Sequence, residues 1–219
     1  MSNPLLLAVF IIGVSVFILC YLVSALFYRK RHETKYHFYQ MFPYEFNYPH
    51  VFRENLYGNL LFGASCFCIA AFYIINPISS LYSYLTLALG IIITMLYLCL
   101  LLMPLQFLRT HIALSTLSIV LSTALPLFNL LNALEQMKVS NNKALCIVSM
   151  VISGLFALMM LILILNPKMS FKIYYEKEVT PDGQEIVKRP KVIFIALTEW
   201  WAIFTFIASP LAMLFLFIK

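Results

Sequence analysis

The run LLLAVFIIGVSVFILCYLVSALFY, residues 5–28, contains no charged side chain and is followed at once by Arg29, Lys30 and Arg31. Wound as a helix at about 1.5 Å per residue, it extends about 36 Å, longer than the roughly 30 Å hydrocarbon core of a bilayer. A secretory leader places its basic residues before an apolar run of about 7–15 residues. Here the order is reversed and the run is longer, so it reads as a retained membrane span.

Working outward, five further stretches have the same character, giving expected spans at about 5–28, 56–75, 81–103, 111–134, 144–165 and 192–218. Turn-forming residues separate them: Asn76-Pro77, the segment from Pro104 to Arg109, Ser140-Asn141-Asn142, and Asn166-Pro167. The composition agrees. The 219 residues are 63% apolar and 11% charged, whereas soluble domains are about 25% charged. That excludes a water-soluble globule, and the scarcity of charge excludes a disordered chain. The expected fold is an all-α polytopic membrane protein with six transmembrane helices, forming one membrane domain over residues 1–219.

Of the fifteen Lys and Arg residues, twelve fall in the first, third and fifth loops, and only Lys138, Lys143 and Lys219 fall on the other side. The positive-inside rule then predicts both termini outside and the long loops 29–55 and 166–191 in the cytoplasm, in a plasma (inner) membrane. Attraction of these residues to anionic headgroups explains the net charge of +6 without invoking nucleic acid.

Two loops are elaborated. The first becomes aromatic after Tyr36, with Phe42, Tyr44 and Phe46 interrupted by Pro43 and Pro49, which forbid one continuous helix. It fits either a segment lying along the membrane interface or a surface for a headgroup or partner. In the fifth loop, apolar and charged residues alternate through Tyr175 and Val179, Thr180-Pro181-Asp182-Gly183 supplies a turn, and residues 185–189 return. This predicts a small cytoplasmic β-hairpin between helices 5 and 6, packed on the first loop or presenting an edge to another protein.

Within the spans, His111, Ser115, Ser118, Ser122, Leu125, Asn129 and Asn132 recur at spacings of four and three, which places them on one helix face. A helix-packing seam and a polar groove for a solute both fit this stripe, with Pro126 available to open the backbone. Both readings require the stripe to face protein. Glu199 is the one acidic residue inside a span. Trp200 and Trp201 draw it toward the interface, where Arg189 or Arg109 is an expected partner.

Signals for enzymatic chemistry are thin. There is no phosphate-binding loop, nucleotide fingerprint or metal-ligand spacing, and Cys66 and Cys68 point about 200° apart on a helix. His32, His37, His50 and Glu45, candidates for an interfacial lipid-modifying site, lack acid–base or metal spacing. No cofactor and no metal are expected.

The leading expectation is therefore a non-enzymatic membrane subunit that docks a partner protein on its cytoplasmic face. Phe42, Tyr44, Phe46, Arg53, Tyr175, Asp182 and Gly183 are its contact candidates. The alternative is a small-solute transporter or membrane-embedded binding protein that uses His111, Ser115, Ser118, Ser122, Asn129, Asn132 and Glu199.

Overall fold

The computed structural model describes residues 4–47, 52–76, 80–103, 107–169, 176–179 and 185–217. Six helical spans are long and apolar enough to cross a bilayer. The first five are α1 (Pro4–His32), α2 (Leu56–Ile75), α3 (Leu81–Leu102), α4 (Leu108–Val139) and α5 (Lys143–Ile164). The sixth is divided into α6 (Phe194–Ala208) and α7 (Pro210–Phe217). Capping explains two of the starts: Ser80 Oγ accepts from Ser83 N at 3.1 Å at α3, and Asn142 Oδ1 accepts from Leu145 N at 3.4 Å at α5. Between α5 and α6, Glu176–Val179 and Glu185–Lys188 run as four-residue strands β1 and β2, paired antiparallel with Glu176 opposite Lys188.

Consecutive helices from α1 to α5 pack as neighbours, and the sixth span lies among α1, α2, α4 and α5. It is accordingly among the most enclosed spans, whereas α1 presents Leu7, Ile11, Leu22 and Leu26 outward. Exposed aliphatic side chains of this kind recur on every helix from α1 to α5, as expected where lipid replaces water as solvent.

Small residues set the closest approaches. A Cβ on Gly90 would collide with the ring of Tyr73, so the bare α3 backbone is what lets that buried ring lie against it. Between α1 and α2, Ser65 Oγ donates to Gly13 O at 2.8 Å and Asn55 Nδ2 donates to Ser24 Oγ at 2.8 Å.

The division of the sixth span, expected as one continuous helix, follows from Pro210. Proline has no N–H to give the carbonyl of residue 206, and its ring crowds that carbonyl. Asn129 of α4 reaches the break, donating through Nδ2 to Ser209 Oγ at 2.7 Å.

Candidate functional site

The aromatic first loop folds back onto the bundle. Its short 3-10 turn at Pro43–Asn47 roofs the helix ends that carry the basic loops. Phe42 (7% exposed) packs on Ile193, Ile195 and Ala196, and Phe46 (5%) stacks on Tyr36 with ring centres 4.0 Å apart. Both are core residues, so neither presents an outer face to a partner. Burial removes more apolar area from water than an exposed interfacial loop would.

Tyr44 is half-buried, with its ring edge-on to His111 at 5.2 Å. Tyr175, Asp182 and Gly183, like His50, lie outside the described residues, as does the side chain of Arg53. His32 and His37 lie at the first loop, and the described residues hold no group of three or more His, Cys, Asp or Glu suited to a metal ion.

Polar contacts hold the roof down. Arg189 Nη1 donates to Glu45 Oε2 at 2.9 Å, and Glu45 Oε1 accepts from Phe42 N at 2.8 Å. Arg31 donates to Phe46 O at 2.6 Å and pairs with Glu54 at 3.0 Å. Trp200 Nε1 donates to Tyr36 OH at 3.1 Å and Met41 O at 3.0 Å. The Tyr36 hydroxyl in turn donates to Phe42 O at 2.7 Å. Burial pushes the Tyr36 phenol well above the ordinary tyrosine range, so it remains a neutral donor at any physiological pH.

Beneath this roof lies a cavity of ≈ 100 Å³ bounded by α1, α2, α3, α4 and α6. A water needs about 10–15 Å³ on this measure, so the space admits several waters or one compact organic molecule. Its polar side chains come from separate elements: Ser24 from α1, Asn59 from α2, His111 and Ser115 from α4, Glu199 from α6.

Glu199 sits five residues into α6, about 8 Å from its start. Ser115 Oγ donates to its Oε1 at 2.6 Å, which joins α4 to α6 across the cavity wall. The expected partnership of Glu199 with Arg189 is not formed. That guanidinium lies on the roof with Glu45, because the chain enters α6 through Ile193, whose N–H is bonded to Tyr39 O at 2.8 Å.

All seven members of the α4 stripe are buried, and they divide by function along the helix. His111, Ser115 and Ser118 line the cavity. Leu125 packs in the apolar core, and the other three make interhelical bonds. Ser122 Oγ lies 3.2 Å from Tyr97 OH, Asn129 bonds Ser209, and Asn132 Oδ1 accepts from Ser80 Oγ at 2.9 Å and Ser83 Oγ at 3.0 Å. Spacing alone could not separate the two uses, since both need polar groups facing inward.

The stripe also hid the aromatic half of the cavity wall. Tyr21, Phe46, Phe62, Tyr97 and Trp200 come from four helices and the roof, so no single periodic pattern links them. Comparison with known protein families, curated proteins and solved structures found no match to this chain.

Proposed function

We propose that this chain is a membrane-embedded binding protein for a small solute, whose site is the cavity between α4 and α6 at the basic-loop end. The observation that carries this reading is Glu199. It is an acidic side chain placed within a membrane-spanning segment, facing a cavity and held by Ser115 from another helix. Ionisable groups at such depth are costly to bury and mark solute or ion sites by default. The described residues supply no group of three or more His, Cys, Asp or Glu suited to a metal ion. Binding, alone or as a step of transport, is what these groups support.

Single cysteines along the stripe test the reading. In membranes, thiols at positions 115 and 118 are expected to react with a water-soluble methanethiosulfonate, and those at 129 and 132 to resist it. Uniform protection would reduce the whole stripe to helix packing.

A second reading concerns partners. Phe42 and Phe46 face inward, so docking would fall to β1 and β2, which pair only with each other and leave outer backbone edges open among the described residues. Positive-inside sorting puts that hairpin in the cytoplasm. Deleting 176–188 is expected to release a co-purifying protein while leaving reactivity at position 118 intact.

A further inference from the structure

The cavity's chemistry is one-sided. Among the described residues its wall holds one carboxylate, Glu199, and no Lys or Arg. Two guanidiniums of the roof are engaged elsewhere, Arg189 with Glu45 and Arg31 with Glu54 and Phe46 O. Two other residues of the wall each carry a buried polar atom with no partner: Asn55 Oδ1, an acceptor, and His111 Nδ1, an acceptor when the ring proton sits on Nε2. The site is therefore rich in acceptors and poor in donors. A buried acceptor left unpaired costs its full desolvation, and a buried carboxylate without a counter-charge costs more.

We propose that the occupant is a small organic ammonium, a primary amine in its protonated form carrying a compact apolar body. This rests on the binding reading above and narrows it. A primary ammonium supplies three N–H donors and one positive charge, which answers the surplus of acceptors. The aromatic rings of Tyr21, Phe46 and Trp200 line the cavity and offer the apolar body a wall. An anion would find no cationic side chain here. A bare alkali cation would leave the apolar rings of the wall without a partner.

Calorimetry on the full chain in lipid nanodiscs tests this with three probes of one shape: protonated 2-phenylethylamine, neutral 2-phenylethanol and anionic 3-phenylpropionate. The amine is expected to bind at least tenfold more tightly than the alcohol, with no binding of the carboxylate. Glu199→Gln should bring the amine down to the alcohol's affinity. Equal binding of amine and alcohol, or preference for the carboxylate, overturns the proposal.

A second measurement does not depend on that variant folding. Ser118→Cys in an otherwise cysteine-free chain is treated with a cationic or an anionic methanethiosulfonate, each rate normalised to that reagent's reaction with 2-mercaptoethanol. The normalised cationic rate is expected to be about tenfold higher, against the bias of the surrounding basic loops. Equal normalised rates remove the ammonium and leave the solute cavity standing. A thiol inert to both reagents, together with no probe binding, removes both.

Discussion

Glu33 is the one described non-glycine residue in the left-handed region, at φ 57°, where it ends α1 with its N–H bonded to Arg29 O at 3.0 Å. A left-handed conformation costs a side-chain-bearing residue about 1–2 kcal/mol, and helices usually end this way on glycine. Glu33→Gly should therefore raise the thermal midpoint in detergent by a few degrees, read by tryptophan fluorescence.

On the roof, Glu45 satisfies both the Phe42 N–H and the Arg189 guanidinium. Arg189→Gln is expected to cost about 1–3 kcal/mol, since it strands a mostly buried carboxylate while the guanidinium it removes is itself partly exposed. Adding Glu45→Gln should recover part of that loss in a double-mutant cycle. Strict additivity of the two would contradict the pair.

Tyr36 gives the pH dependence. Its folded pKa lies above its unfolded value, so its contribution is complete below about pH 10 and declines as pH rises beyond that. Tyr36→Phe should flatten the alkaline limb of a stability–pH curve.

These contacts were not legible in the sequence. Glu45 and Arg189 stand 144 positions apart, and nothing local distinguishes Arg189 as a partner for Glu45 from Arg189 as a partner for Glu199.

Elements were the most legible scale. The uncharged runs, the basic clusters and the Asn-Pro punctuation place α1 to α5 to within a few residues, because the length of a span is set by bilayer thickness and not by tertiary detail. The sixth span departs at Pro210. A proline inside an apolar run is compatible with either a kinked or a divided helix, and the run itself does not choose between them.

The stripe on α4 was equally legible as a face. Its division into cavity wall and packing seam was not, because that depends on which partners Ser122, Asn129 and Asn132 meet on α3 and at the α6–α7 break. Asn129→Leu is expected to lose about 0.5–2 kcal/mol by removing the bond to Ser209, without changing reactivity at position 118. Gly90→Ala should cost about 1–3 kcal/mol by forcing Tyr73 off α3. The combination Gly90→Ala with Tyr73→Leu should recover much of it, and failure to do so would place the strain elsewhere.

Over the whole molecule, the basic loops, the roof and the cavity gather at one end of the bundle, while Asn129 and Asn132 bind the helices toward the other. The roof's bond from Trp200 to Tyr36 holds the indole beside the cavity, and Ser115 of α4 gives Glu199 a fixed neighbour. In the orientation proposed from the positive-inside rule, that same end faces the cytoplasm, and a solute would meet the roof from inside the cell.

Sided modification of a single thiol joins fold, orientation and site in one observation. In sealed vesicles bearing Ser118→Cys, a membrane-impermeant thiol reagent should react when the basic loops face the bath and not in the opposite orientation, with Asn129→Cys silent in both. Reaction from the opposite face, or equal silence at the two positions, would contradict a cavity that opens at the basic end.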